Sequence, residues 1–131
     1  IRIIVDCYNA NPDSMKAALK VLGNTDAQRK IAVLGDMLEL GAISEKAHYD
    51  IGKLCASNDI DTIITFGTEA INIANGAINN GFDKDNIKSF TDIDYASKHI
   101  HSILRQGDVL VVKGSRGMKM EKIVQYLQER R

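Results

Sequence analysis

The chain has 131 residues, of which 44% are hydrophobic and 26% charged, a composition typical of one folded globular domain. Lys and Arg together number 17, as do Asp and Glu, so the formal net charge is zero. No global basic field therefore favours nucleic acid or an anionic membrane as a partner. No apolar run approaches the roughly 20 residues that span a bilayer. Two cysteines, Cys7 and Cys55, form no disulfide framework or zinc motif, and we expect a reducing cytoplasm.

Strand and helix patterns alternate along the whole chain. In chain order they predict a strand at 3–5, a helix at 12–22, a strand at 31–34, a helix at 44–57, a strand at 62–66, a helix at 69–78, a strand at 87–90, a helix ending near 104, a strand at 109–112 and a helix from 117 or 118 to 128. Three helix starts are predicted from cap residues. The first is Asn11 with Pro12 after it, the second is Ser44, and the third is Thr91 with Asp94 three residues later. Five strands separated by helices predict a single α/β domain, residues 1–131, with a mostly parallel sheet and helices on both faces.

The loop after the first predicted strand carries four unusual polar residues, Asp6, Tyr8, Asn9 and Asn11. Parallel sheets bind ligands outside the carboxyl ends of their strands, where this loop lies. One interpretation is helix capping, with Asn11 as the cap and Asp13 beside the helix N-terminus. The other is that Asp6 accepts hydrogen bonds from ribose hydroxyls, while the following amides and Asn side chains meet phosphate or a sugar. Capping alone leaves Asp6, Tyr8 and Asn9 unexplained.

The loop after the fifth predicted strand, from Lys113 to Gly117, is a second candidate site. Gly114 and Gly117 would let the backbone approach a ligand closely, and Lys113 and Arg116 add positive charge near a helix N-terminus. A carboxylate or a phosphate fits this description. The other interpretation is a helix capped by Ser115 with solvated basic residues, because the loop is neither a Walker A motif nor GxGxxG.

The loop after the second predicted strand, residues 35–41, places Asp36 beside large apolar residues. Met37, Leu38 and Leu40 either pack locally or dock against another domain.

The three histidines, His48, His99 and His101, are expected on helix surfaces, since neither a base partner nor metal-ligand spacing accompanies them. We therefore predict no catalytic residue and no metal ligand in this chain.

Three segments together resemble one family: residues 6–15 (DCYNANPDSM), 33–41 (VLGDMLELG) and 113–121 (KGSRGMKME). Their order and spacing resemble the C-terminal domain of the Mur ligases over nearly the whole chain. The resemblance implies a Rossmann-like three-layer sandwich and the last of three domains in an ATP-dependent amide ligase. Among Mur ligases, the segments are most similar to those that add D-alanyl-D-alanine to UDP-N-acetylmuramoyl-tripeptide (UDP-MurNAc-tripeptide) in peptidoglycan precursor synthesis.

The resemblance also implies ATP and Mg²⁺, with which the tripeptide carboxylate becomes an acyl phosphate that the amine of D-alanyl-D-alanine attacks. It assigns ATP binding to three residues of the first loop: Asp6, Asn9 and Asn11. It assigns binding of the incoming dipeptide or the acyl phosphate to four residues of the other two loops: Lys113, Ser115, Arg116 and Asp36.

No GxxxxGK[ST] phosphate loop occurs in the chain, which begins at Ile1 within an apolar run and without an initiator Met or signal peptide. We therefore expect a piece of a longer protein. The resemblance places the phosphate loop, the metal ligands and the uridine site in a central ATPase domain and an N-terminal UDP-substrate domain, so this chain should fold but not catalyse ligation alone. Two other interpretations are a free-standing Rossmann-like domain that binds a nucleotide or anion, and a structural interaction module without a strand-end ligand.

Overall fold

The computed structural model describes residues 1–130. Five strands form one sheet: β1 (Arg2–Asp6), β2 (Arg29–Gly35), β3 (Thr62–Phe66), β4 (Ile87–Phe90) and β5 (Asp108–Lys113). Their spatial order is β1-β5-β2-β3-β4, and all four neighbouring pairs are parallel. Five α-helices accompany them: α1 (Pro12–Gly23), α2 (Ser44–Ser57), α3 (Ile71–Asn79), α4 (Ile93–Ile103) and α5 (Glu121–Glu129). None of these helices is long and apolar enough to cross a membrane.

The sheet is covered on both faces, which confirms the predicted three-layer α/β sandwich. Alternate residues of a strand point to opposite faces. In β2, Ala32 and Leu34 belong to one buried cluster, with side chains from α1, α2 and α3. Ile31 and Val33 belong to the other cluster, with side chains from α4 and α5. Because the central strands are apolar on both faces, polar chemistry is left to the loops at the strand ends.

Helix α1 begins as the sequence predicts. Asn11 is the N-cap, and its Oδ1 accepts a hydrogen bond from the Ser14 amide at 2.9 Å. The Ser14 hydroxyl oxygen accepts one from the Asn11 amide at 3.0 Å, which completes a capping box. Pro12 follows at the first helical position, where its missing N–H is not needed.

Two other predicted caps are wrong. Ser44 is the first residue of α2, and its hydroxyl donates to the Glu69 carboxylate at 2.8 Å instead of capping the helix. The cap of α4 is Asp92 and not Thr91, because Asp92 Oδ1 accepts hydrogen bonds from two amides of the first turn. A carboxylate one residue closer to the helix supplies the same bonds with a formal charge.

The last helix starts later than predicted. Residues Arg116–Met118 form a 3₁₀ turn, and Lys119 has a left-handed backbone with φ of 55°. A left-handed residue interrupts a right-handed helix, so α5 begins only at Glu121. Arg116 therefore lies in a short 3₁₀ turn between β5 and α5.

Helices α2 and α3 approach each other closely at two glycines. A Cβ atom on Gly52 would lie 1.9 Å from the carbonyl oxygen of Ile73, and one on Gly76 would lie 2.0 Å from that of Tyr49. No side chain fits in either gap, so the two backbones are in direct contact.

Candidate functional site

The three loops singled out by sequence lie side by side at the carboxyl edge of the sheet. Strands β1, β5 and β2 are neighbours in that order, so the loops that follow them meet. Asp6 is paired with Lys113 across β1 and β5, and Lys113 is paired with Leu34 across β5 and β2. Segments separated by as many as about a hundred residues in the chain therefore form one cluster, which we call the strand-end cluster: residues 6–11, 35–40 and 113–118.

An ion pair between Asp6 and Lys113 is the electrostatic centre of this cluster. Lys113 Nζ lies 2.5 Å from Asp6 Oδ2 and also donates to the Asn9 carbonyl oxygen at 3.3 Å. The hydrogen bond from Lys113 holds the pKa of the Asp6 carboxyl below its usual value, with the Tyr8 and Asn9 amides acting in the same direction. The Asp6 side chain is 52% exposed. An ionised carboxylate is thus fixed in place at the surface, where it can accept hydrogen bonds from a ligand.

Ser115 connects all three loops through hydrogen bonds inside the protein. Its hydroxyl oxygen accepts a hydrogen bond from the Leu38 amide at 2.8 Å, and its hydroxyl donates to the Ala10 carbonyl oxygen at 3.4 Å. Its amide donates to the Asp36 carbonyl oxygen at 3.0 Å. Ser115 is buried and makes no capping hydrogen bond, so the interpretation of Ser115 as a helix cap is wrong.

The glycines of the β5 loop serve packing within the protein. A Cβ atom on either Gly35 or Gly114 would lie 2.2 Å from the sulfur of Met120. A Cβ atom on Gly117 would lie 2.9 Å from a methyl carbon of Leu38. These glycines bring the β2 and β5 loops together, and the close approach that the sequence suggested for a ligand is made by Met120 and Leu38.

Asp36 lies inside the protein beneath these loops. It is 5% exposed, and its Oδ1 accepts a hydrogen bond from the Ala70 amide at 2.7 Å. Burial raises the pKa of its carboxyl, which the amides of Ala70 and Glu69 partly offset. Gly67, with φ of 118°, leaves room for the carboxylate, since a Cβ there would lie 2.3 Å from Oδ1. Asp36 therefore anchors the β2 loop to the β3–α3 turn.

His48 is the important residue that sequence reasoning misplaced. It is fully buried and not on a helix surface. Its Nε2 accepts a hydrogen bond from the Met37 amide at 2.9 Å, while Nδ1 lies 2.7 Å from the Ser44 carbonyl oxygen. The imidazole is therefore neutral, with its proton on Nδ1. The periodicity of α2 could have shown this, because residues 44, 48, 51, 52 and 55 form its buried face.

The other two histidines differ from His48. His99 is half-buried and His101 is exposed, as the sequence predicts for the latter.

The exposed rim of the cluster includes Tyr8, Asn9 and Arg116. The Arg116 guanidinium carbon lies 4.9 Å from the centre of the Tyr8 ring, and Nη1 lies 3.5 Å from the Tyr8 hydroxyl. This weak contact holds a positive charge at the surface of the cluster. Of the four residues assigned to substrate, only Arg116 reaches the surface, since Lys113, Ser115 and Asp36 are all buried.

The apolar residues of the β2 loop are divided between core and surface. Met37 is 1% exposed and belongs to the core, whereas the neighbouring Leu38 is 39% exposed. Local packing therefore explains Met37, and Leu38 is the residue still available for docking against another domain.

Neither cysteine suits nucleophilic chemistry. Burial raises the pKa of the Cys7 thiol to about 11 and that of the Cys55 thiol to about 12. Within residues 1–130, no group of three or more His, Cys, Asp or Glu side chains could hold a metal ion.

Comparison with known proteins defines the family. A family model described as "Mur ligase, glutamate ligase domain" matches residues 1–116. The chain therefore belongs to the Mur ligase family, which confirms the resemblance found in the sequence.

Two curated relatives carry the same enzyme name. The chain is 38% identical over 130 residues to the UDP-N-acetylmuramoyl-tripeptide–D-alanyl-D-alanine ligase of Bacillus subtilis, covering 98% of this chain and 28% of that protein. It is 36% identical to the enzyme of the same name from Escherichia coli, covering 97% of this chain and 27% of that protein. The chain thus spans somewhat more than a quarter of the length of these relatives.

Solved structures of the family have the same fold. MurF from Acinetobacter baumannii superposes with a TM-score of 0.84 at 33% identity, covering 95% of this chain and 27% of that one. MurF ligase from Thermotoga maritima in complex with ADP superposes with a TM-score of 0.78 at 24% identity, covering 97% of this chain and 28% of that one.

Proposed function

We propose that this chain is the C-terminal domain of a three-domain, ATP-dependent ligase that joins D-alanyl-D-alanine to UDP-MurNAc-tripeptide. The names and lengths of the curated relatives support the reaction and the missing domains. The observation that carries the proposal is the half-exposed Asp6 carboxylate, which the buried Lys113 keeps ionised at the edge where parallel sheets bind ligands. In this reaction, the tripeptide carboxylate accepts a phosphoryl group from ATP, and the dipeptide amine then displaces phosphate to form the amide.

Asp6 fits the ATP ribose in this proposal. A carboxylate with one oxygen paired to Lys113 retains lone pairs for two neighbouring hydroxyl donors. The Asn9 side chain is exposed beside it and supplies an amide for the nucleotide. Asn11 Oδ1 already accepts one hydrogen bond in the capping box, and the side-chain N–H groups of Asn11 are free to donate to the nucleotide.

The incoming dipeptide and the acyl phosphate lie on the Arg116 side of the cluster in this proposal. Arg116 is exposed, and its planar guanidinium suits the dipeptide carboxylate or a phosphate. Lys113, Ser115 and Asp36 are buried, and they serve the substrate by holding Asp6, Arg116 and the β2 loop in place. The seven assigned residues thus divide into surface contacts and buried positioning residues.

The residues present do not fit the implied Mg²⁺, because residues 1–130 contain no cluster of metal-ligating side chains. We assign the metal and the ATP phosphates to the central ATPase domain, and the UDP group to the N-terminal domain, of the same protein. Two buried free thiols and the use of ATP agree with a cytoplasmic location.

The proposal is tested in the full-length protein by the release of phosphate that requires both D-alanyl-D-alanine and UDP-MurNAc-tripeptide. Asp6→Asn should raise the KM for ATP by about tenfold or more, because it removes charge-assisted hydrogen bonds. Asp13→Asn is the matched control, since Asp13 is an exposed carboxylate in the first turn of α1. An equal effect of both variants, or phosphate release without the dipeptide, would contradict the proposal.

The free-standing alternative has a different signature. If most contacts to the nucleotide lie in other domains, the 131-residue chain should show only weak ATP binding by calorimetry and release no phosphate. Micromolar ATP affinity of the chain alone would favour a free-standing nucleotide-binding domain.

A further inference from the structure

A second concave site lies at the opposite end of the sheet from the strand-end cluster. Its cavity volume is about 410 Å³, and it is bordered by the first residues of two strands, Arg29 of β2 and Thr62 of β3. The seven residues of β2 separate it by about 20 Å from the carboxyl edge. The proposed ligase function makes no use of this cavity.

Arg29 is held rigidly in the wall of the cavity. Its Nε and Nη2 donate to the two carboxylate oxygens of Asp108 at 2.9 and 2.6 Å, and Nη2 also donates to the Ile103 carbonyl oxygen at 2.5 Å. Burial raises the pKa of the Asp108 carboxyl, but the bonds from Arg29 and the Arg105 amide outweigh it and leave the pKa below its usual value. Nη1 of Arg29 has no hydrogen-bond partner within residues 1–130. The Arg29 guanidinium is therefore fixed through Nε and Nη2, and the N–H groups of Nη1 are left to donate to a ligand.

Two further cations border the same cavity. Lys88 and Arg105 are exposed, and neither side chain has an ion-pair partner within 4.0 Å among the described residues. The charge of Lys88 acts on the half-buried His99, whose pKa is lowered by burial first and by Lys88 second. His99 therefore adds a largely neutral ring to this wall, packed with its centroid 5.3 Å from that of Phe90.

One acidic residue restricts the kind of anion that fits. Asp85 also lines the cavity, beside Asn86 and the hydroxyl of Thr62. A carboxylate repels a bare anion but accepts hydrogen bonds from sugar hydroxyls. Three cations and an acid with polar neighbours line the same cavity, and together they suit a molecule that carries both a phosphate and hydroxyl groups.

We propose that this cavity binds a small phosphorylated sugar, with its phosphate between Arg29, Lys88 and Arg105 and its hydroxyls toward Asp85 and Asn86. Arg29 offers the two N–H groups of Nη1, which its bonds to Asp108 and Ile103 hold in place, and a phosphate oxygen accepts such donors together with a point charge such as Lys88. Such a site is separate from the strand-end cluster, and its occupancy is independent of Asp6.

The test uses the 131-residue chain, in which the residues of both apolar clusters are present, and isothermal titration with ribose 5-phosphate, inorganic phosphate and ribose. Ribose 5-phosphate should bind at one site more tightly than inorganic phosphate, and ribose alone should not bind. Lys88→Gln and Arg105→Gln should each weaken binding by about tenfold, as expected for a lost charge-assisted hydrogen bond. Lys98→Gln is the matched control, since Lys98 is exposed on α4 but does not line the cavity.

Three results would overturn the proposal. The first is the absence of saturable binding of ribose 5-phosphate, which would mean that the cations are only solvated. The second is binding that Lys98→Gln weakens as much as Lys88→Gln does. The third is binding that Asp6→Asn abolishes while Lys88→Gln and Arg105→Gln leave it unchanged, which would place the ligand at the strand-end cluster. Circular dichroism of each variant verifies that the fold is retained.

Discussion

Lys113 and Asp6 form an ion pair whose two ends lie in different environments. The Lys113 side chain is 2% exposed and the Asp6 side chain 52%, with 2.5 Å between Nζ and Oδ2. The lysine is thus a buried support for a carboxylate that faces solvent. Removal of Asp6 would leave an ammonium group buried without a counter-charge, so Asp6 contributes to the stability of the fold as well as to the proposed ATP contact.

A pair of variants isolates the contribution of the buried Lys113 charge to stability. Asp6→Ala should lower the free energy of unfolding by about 2–3 kcal/mol, because it leaves the Lys113 ammonium buried with only the Asn9 carbonyl as partner. The double variant Asp6→Ala/Lys113→Met should be more stable than Asp6→Ala, since it also removes the buried charge. Urea denaturation at pH 7 measures the free energy of unfolding of the wild-type protein, Asp6→Ala and the double variant.

The control for that comparison is Asp13→Ala, which removes an exposed carboxylate near the same helix N-terminus and should cost about 1 kcal/mol at most. If the double variant were no more stable than Asp6→Ala, the unpaired Lys113 charge would not be the source of the destabilisation.

The contribution of the Asp6 charge should depend on pH in a definite direction. The pKa of Asp6 is lowered in the folded protein from 3.8, so the unfolded chain binds the proton more tightly. Stability from this group is therefore fully present above the unfolded pKa and is lost as the pH falls through the folded pKa. The stability gap between the wild-type protein and Asp6→Asn should be full at pH 7 and shrink as the pH falls below 3.8.

Urea denaturation across this pH range checks the expectation. Other carboxylates titrate in both proteins, so the difference between them isolates Asp6. In a Lys113→Met background the gap should be small at every pH. A gap of equal size at pH 7 and at the acid limit would show that Asp6 is not stabilised as an anion.

His48 should stabilise the β2 loop through one amide. His48→Leu preserves the apolar volume but leaves the Met37 N–H buried without an acceptor, which should cost about 1–3 kcal/mol. Hydrogen exchange of the Met37 amide should become faster, because its protecting bond is lost. Thermal or urea denaturation gives the stability change.

The matched control is His101→Leu, an exchange of the same residue types at an exposed position, with an expected change of about 0.5 kcal/mol or less. Unchanged exchange at Met37 in His48→Leu would mean that another group satisfies this amide.

Gly76→Ala reverses the usual effect of alanine in a helix. Helix propensity alone would make alanine more favourable by about 1 kcal/mol. In α3, however, the new Cβ would lie 2.0 Å from the Tyr49 carbonyl oxygen, so α2 and α3 must separate. We expect a net loss of about 1–3 kcal/mol, the usual effect of overpacking, as measured by urea denaturation.

Asn75→Ala is the control, because Asn75 is exposed in the same helix and should show only the small propensity gain. A Gly76→Ala protein as stable as the wild type would contradict the direct contact between the α2 and α3 backbones.

The sequence was most informative where local rules apply. The Asn11–Pro12 helix start, the five apolar strands and the parallel sheet all followed from patterns within a few residues, and the structure confirms them. The sequence wrongly predicts Ser44 and Thr91 as caps, because several polar residues compete near a helix start. Only the geometry decides that Asp92 caps and that Ser44 binds Glu69.

The candidate site was predicted as three separate loops. The sequence alone suggested that Asp6, Lys113 and Arg116 bind ligands, because all three follow predicted strands. It could not distinguish a residue that contacts a ligand from one that supports the contact. Burial supports the proposed division, because Lys113 is buried and Arg116 lies at the surface.

By itself, the sequence determined the order and type of the secondary structure and the family of the chain, because hydrophobic periodicity and contiguous motifs are local properties. Only the tertiary structure decided that β5 lies between β1 and β2, and so that residue 113 meets residue 6. Strand order depends on how helices pack across both faces of the sheet, which no local pattern encodes. The burial of His48 and the pairing of Lys113 with Asp6 follow from that packing.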